Sequence, residues 1–173
     1  MKTPLCNFCL KSGILCPKCE SKVKTGELSE LDIRTARLLL QLESKYPLLQ
    51  DIHFYKTVEA NGTLALLVDG SSLPKILSYG GKIIREINDE LGRKVRVLEY
   101  GVDLRKFLED LFAPATIITL NRIWLPDDST ETRVILSEND MKKLPADVST
   151  LKELAKKIRG VTLRVEFEEG RTY

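Results

Sequence analysis

The stretch Ser78-Tyr79-Gly80-Gly81-Lys82-Ile83-Ile84-Arg85-Glu86-Ile87-Asn88-Asp89-Glu90-Leu91-Gly92-Arg93-Lys94-Val95 governs how the rest of the chain is read. Ile83, Ile84, Ile87 and Leu91 recur at helical spacing, which predicts an amphipathic helix over 82–91 ended by Gly92. The β-rich residues 94–100 that follow read as a strand. Ahead of the helix, Gly80 and Gly81 make a turn almost free of side chains. Such a turn permits close backbone approach, and the helix start beyond it presents unpaired amides, so a phosphate chain can lie across it. Lys82, Arg85, Arg93, Lys94 and Arg96 supply positive charge nearby.

Working outward, residues 73–77 form a short helical segment after the break Gly70-Ser71-Ser72. Residues 52–59 and 63–69 are strand-like and separated by Ala60-Asn61-Gly62, a hairpin turn signal. Further upstream, Ser29 and Asp32 have capping-box spacing, and Leu31, Ala36, Leu39, Leu40 and Leu42 predict a helix running to Lys45, before Pro47. The order is helix, strand, strand, short helix, helix, strand. Downstream the same order recurs: a helix over 104–112, strands over 116–125 and 131–136, a short helix from Ser137, a helix over 150–158 stopped at Gly160, and a strand over 161–167. This is a structural repeat of roughly 65 to 70 residues, which predicts two small α+β modules over 29–101 and 102–173. The alternative is one α+β domain whose halves agree by chance.

The remaining segment, residues 1–25, carries all four cysteines as Cys6-Asn-Phe-Cys9 and Cys16-Pro-Lys-Cys19. Two CxxC knuckles let four thiolates close a tetrahedral shell, with no position left for water, as in structural zinc sites. The same four ligands satisfy an iron–sulfur cluster, whereas a thioredoxin-like redox reading needs a βαβ context that 1–25 cannot supply. One structural Zn²⁺ on Cys6, Cys9, Cys16 and Cys19 is the expected cofactor. A separate module of that size cannot bury enough apolar surface alone, so the ion is expected to fold it. Lys2, Lys11, Lys18, Lys22 and Lys24 against Glu20 leave it mildly basic once the thiolates are counted. That face can touch RNA phosphates, dock on a protein, or simply be solvated.

The 173 residues are 43% hydrophobic, enough for one ordinary core or two small ones. The net charge of +2 is too small to mark a nucleic-acid binder in bulk, so any basic surface must arise locally. The apolar runs are far too short for a membrane helix, there is no secretory leader pattern, and cysteine usage argues against a disulfide framework. A cytoplasmic protein without a membrane partner is expected.

The run 78–95 resembles the loop, helix and strand of a NusA-type KH module. Val97-Leu98-Glu99-Tyr100 and Phe107-Leu108-Glu109-Asp110-Leu111-Phe112-Ala113-Pro114-Ala115 resemble the linker into the second KH module of archaeal NusA-like proteins. The similarity covers about residues 30–168 and is sharpest over 64–115. It implies two prokaryotic-type (type II) KH-like modules in tandem behind the zinc module. It also implies non-catalytic binding of single-stranded RNA, accessory to transcription elongation or termination or to the ribosome, with RNA polymerase or the ribosome as partner. In KH domains a GxxG loop clamps the backbone of about four nucleotides while bases enter an apolar groove. Carried over, Lys75, Ser78, Tyr79, Gly80, Gly81, Lys82 and Arg85 contact the RNA, and Ile76 and Ile84 line the groove. Two departures stand out. Ser78 replaces the first glycine of the loop, and Tyr79 stands where the family often has lysine, placed either to stack on a base or to fill the groove. The second module has Lys143-Leu144-Pro145-Ala146 at the equivalent place, with no glycine, and reads as a structural partner or protein-binding surface. The rival reading is a protein–protein adaptor on polymerase or ribosome whose degenerate KH modules bind little RNA.

No catalytic constellation is assembled. His53 is the only histidine and sits in a strand pattern, Tyr55 and Trp124 read as core or edge aromatics, and the acids around 127–140 read as turns and caps. Gly81-Lys82 is followed by Ile83 rather than Ser or Thr, which removes a Walker phosphate loop, and no small-molecule substrate is expected.

Overall fold

The computed structural model describes residues 1–169; the end of the expected second module, residues 170–173, lies outside them. The architecture is mixed α+β with two three-stranded sheets. Two short helices, α1 (Asn7–Ser12) and α2 (Pro17–Thr25), precede α3 (Glu30–Glu43), β1 (Phe54–Ala60), β2 (Thr63–Val68), α4 (Leu73–Ile76), α5 (Lys82–Leu91) and β3 (Lys94–Glu99). Then come α6 (Leu104–Phe112), β4 (Ile117–Trp124), β5 (Thr130–Ser137), α7 (Val148–Arg159) and β6 (Leu163–Glu168), with a 3-10 segment, Glu138–Lys143, before α7. From α3 onward the element order therefore runs twice, and Gly92 and Gly160 close α5 and α7 in corresponding positions.

The chain divides into two compact units: residues 1–57 with 64–101, and residues 58–63 with 102 onward. In the first, the strand order is β1-β2-β3. Helix α3 begins at a reciprocal capping box, Ser29 Oγ accepting from Asp32 N–H while an Asp32 oxygen accepts from Ser29 N–H. Its apolar stripe buries Ala36, Leu39 and Leu42 in one cluster with Phe54, Leu64, Leu66 and Val68 of the sheet and Ile83 and Ile87 of α5. Full burial of each of the Leu, Val, Ile and Phe side chains among them is worth roughly 1.5 to 3 kcal/mol. Residues 1–25, which sequence sets apart as a separate module, share this core. Leu5, Cys9, Leu10 and Cys19 lie in the same buried cluster, because the two short helices have too little apolar surface to close a core of their own.

In the second unit β4 pairs antiparallel with β5 and β5 pairs parallel with β6, α7 making the crossover. Val134 and Leu136 of β5 are fully buried, as are Leu151, Leu154 and Ala155 of α7. Among the described residues no helix is long and apolar enough to cross a membrane.

Candidate functional site

Each CxxC knuckle is a helix start. Cys6 caps α1 and Cys16 caps α2, so that Cys9 and Cys19 fall in the first turns. Pro17, at the first position of α2, suits a turn whose amides have no helical partner. The backbone N–H of Cys16 donates to Cys9 Sγ at 3.0 Å, and that of Cys19 to Cys16 Sγ at 3.5 Å. The sulfurs of Cys6 and Cys9 are 3.3 Å apart, those of Cys6 and Cys16 3.9 Å, and all four lie within 4.8 Å of one another. A tetrahedral shell with metal–sulfur bonds of about 2.3 Å has edges of about 3.8 Å, so the cluster is of the size one such ion needs.

The thiols are unequal. The amide of Cys19 holds the Cys16 thiol down at about 6, and the amide of Cys9 lowers Cys6. Burial pushes Cys9 up to about 12. Cys6 is exposed, Cys16 is half-buried against the edge of the core, and Cys9 and Cys19 are buried, so two ligands are fixed in the core and only Cys6 faces outward. Four converging thiols, two with stabilised thiolates, can hold one metal ion.

The glycine turn lies between α4 and α5. Tyr79, Gly80 and Gly81 have φ of 57°, 62° and 79°, three successive residues in the left-handed region. Glycine adopts that conformation freely, but at Tyr79 it costs about 1 to 2 kcal/mol. Contacts from several elements hold it. Ser78 Oγ donates to Lys75 O at 2.5 Å, Gly81 N–H donates to Ser78 O at 3.2 Å, and the Tyr79 ring lies 5.1 Å from that of Tyr46. The Tyr46 hydroxyl in turn donates to Glu86, which pairs with Lys45 at 2.5 Å. A Cβ built on Gly80 or Gly81 meets nothing within 4 Å, so the backbone of the turn faces open space.

No family model matches the chain. Two similarities point to archaeal NusA. Over 62 residues, 36% of this chain, it is 31% identical to the "Probable transcription termination protein NusA" of Methanocaldococcus jannaschii and 27% identical to that of Methanococcus vannielii. The matches cover 32% and 34% of those proteins, so the chain spans about a third of the curated relatives it resembles. A crystal structure of the protein APE1850 superposes with a TM-score of 0.56 and 20% identity, over 76% of this chain and 96% of that one. That likeness concerns fold alone.

The expected RNA-contact residues fall into distinct settings. Tyr79 and Gly80 are exposed, Ser78 and Gly81 half-buried, and Lys82 is exposed at the start of α5. Arg85 is exposed, but its side chain is engaged by the turn itself. Its guanidinium donates to Gly80 O at 2.7 Å and Gly81 O at 3.4 Å, folding back on the turn. Lys75 Nζ donates to Asp51 O at 3.2 Å. Ile84 is half-buried, whereas Ile76 is fully buried and supports the turn from beneath rather than lining an open groove. Sequence reasoning missed the support that Tyr46 and Glu86 give the turn: Glu86 is near it in the chain, but its partner Tyr46 is 40 residues away and carries no local signal. In the second unit, residues 143–147 carry none of the positive φ angles of the first turn, and Leu144 is extended.

Proposed function

We propose that this chain is a non-catalytic, single-stranded RNA-binding protein of the NusA-like KH type, acting beside transcription elongation or termination. The open, left-handed turn over 78–81 carries the reading: it supports a sugar-phosphate strand lying directly on the backbone of Gly80 and Gly81, with Lys82 beside it. The twice-repeated element order and the partial likeness to archaeal NusA support two type II KH-like modules. Arg85 then shapes the turn through its two carbonyls, and its charge backs the phosphates from below. The thiolate cluster takes one structural Zn²⁺, which stiffens the N-terminal segment against the core.

The test is Gly81→Asp. Asp tolerates the left-handed region better than most residues and has room here, so it adds a negative charge to the phosphate path without a clash. Measured by fluorescence anisotropy with a labelled single-stranded RNA, affinity should fall by about tenfold or more, the order of one unfavourable charge contact in a backbone clamp. Gly81→Asn should bind far closer to wild type. Unchanged binding by Gly81→Asp sinks the assignment. The adaptor reading is favoured in the second unit, whose 143–147 segment lacks a clamp and whose Trp124 is 70% exposed. Capture of polymerase after nuclease treatment tests it.

A further inference from the structure

Within the first unit, three rings are stacked on the face of the β1-β2-β3 sheet opposite the helices. His53 and Tyr55 are two residues apart on the β1 path, so both point away from the side on which Phe54 enters the core. Their rings lie 4.0 Å apart at 20°, and Tyr55 and Tyr100 lie 4.1 Å apart at 16°. Tyr55 is thus covered on both faces. Tyr100 is covered on one face only and remains 52% exposed, which leaves its outer face to solvent.

We propose that Tyr100 is a stacking platform for a base of single-stranded RNA, separate from the glycine turn and extending the His53–Tyr55–Tyr100 ladder by one ring. The proposal rests on the RNA-binding reading above. The ladder is preorganised, so an incoming base orders little that is not already fixed. Near-parallel planes about 4 Å apart suit a planar heterocycle better than an aliphatic side chain. Positive charge lies on the same face. Lys2 pairs in parallel register with His53, through Lys2 N–H to Ile52 O and Phe54 N–H to Lys2 O, both at 2.9 Å. Paired residues of a parallel bridge project to the same side, which sets the exposed Lys2 on the ladder's side of the sheet at its His53 end, a positive charge for a phosphate of the bound strand.

Ladder and turn are also joined covalently and by hydrogen bonds. His53 N–H donates to Ser72 Oγ at 2.8 Å, and Ser72 precedes α4, whose C-terminal end leads into 78–81.

The test compares the wild-type chain with Tyr100→Leu, Tyr100→Phe and Gly81→Asp for a fluorescein-labelled ten-nucleotide adenylate RNA at fixed salt. Circular dichroism checks each fold. Tyr100→Leu should weaken binding by roughly 5- to 150-fold, the range for one lost base–aromatic stack, while Tyr100→Phe stays within about twofold. Wild-type affinity in Tyr100→Leu, with loss in Gly81→Asp, overturns the platform and leaves the turn standing. Loss in Tyr100→Leu alone supports the platform and removes the turn. Absence of RNA binding by the wild type, or a Tyr100→Leu variant that binds RNA normally but loses a polymerase partner, overturns the platform. Should Tyr100→Leu misfold, Tyr100→Trp in a Trp124→Phe background replaces it. Its single tryptophan should be quenched on adding the RNA, and constant emission overturns the proposal.

Discussion

Asp32 is a carboxylate with 1% of its surface exposed, and both its oxygens are in use. One accepts from Ser29 N–H at 2.9 Å in the capping box, the other from Thr57 N–H at 2.7 Å, tying the start of α3 to β1. Thr57 Oγ1 adds a bond to Thr35 Oγ1 at 3.1 Å. Sequence reveals the first bond, because it lies between residues three apart. The second joins residues 25 positions apart and has no local signal. Asp32→Ala removes two charge-assisted hydrogen bonds and strands the buried Thr57 amide away from water, so it should cost about 3 kcal/mol. Urea denaturation followed by circular dichroism measures this, and a loss below about 1 kcal/mol, the worth of a lone helix cap, means that the Thr57 bond contributes nothing.

At the scale of elements, sequence locates α3, the β1–β2 hairpin, α5, β3 and the whole second pass to within a few residues, because each has a strong period or an unambiguous terminator. It misses α1 and α2. There the cysteine spacing reads as metal chemistry, and the helix signals, Pro17 at the start and glycines at the ends, are too short a run to show a period. Ile76 is misplaced for the same reason: a four-residue helix cannot say which of its faces is inward. The link between the segment just after α3 and α5 is likewise invisible in sequence, since Lys45 and Tyr46 meet Glu86 only through the fold. It gives a pH dependence. The bonds from Lys45 and then Tyr46 hold the Glu86 carboxyl below its ordinary 4.5. A carboxylate whose pKa is depressed in the folded state stabilises it fully above the ordinary value and loses that contribution as pH falls through the folded one. Acid below about pH 4.5 should therefore loosen the Tyr46–Tyr79 contact behind the glycine turn. Glu86→Gln should flatten that acid limb. The ring proton shifts of Tyr79 against pH report it, and an equally steep limb in the variant assigns the titration to another group.

Over the whole molecule, the two units repeat one element order but do not repeat one site. The first has three consecutive left-handed residues and open backbone; the second has an extended, proline-bearing segment in the same place. The cysteines belong to the first unit alone, and two of them, Cys9 and Cys19, sit in the cluster that contains Leu39, Phe54 and Ile83. A metal ion on these thiols therefore stabilises more than residues 1–25, since losing it frees Leu5 and Leu10 from a core they share with α3. The protein as isolated should carry one metal ion per chain by inductively coupled plasma mass spectrometry. Removal by a chelator should lower amide hydrogen-exchange protection in α1, α2 and α3 together, because ligand loss is felt by every element whose burial depends on the bound segment. Protection in β4, β5 and β6 should change little, as that sheet has its own core around Val134, Leu136, Leu151 and Leu154. Loss confined to α1 and α2 would mean that the cysteine segment is an appended module after all, and equal loss across both sheets would mean that the chain unfolds as one cooperative body.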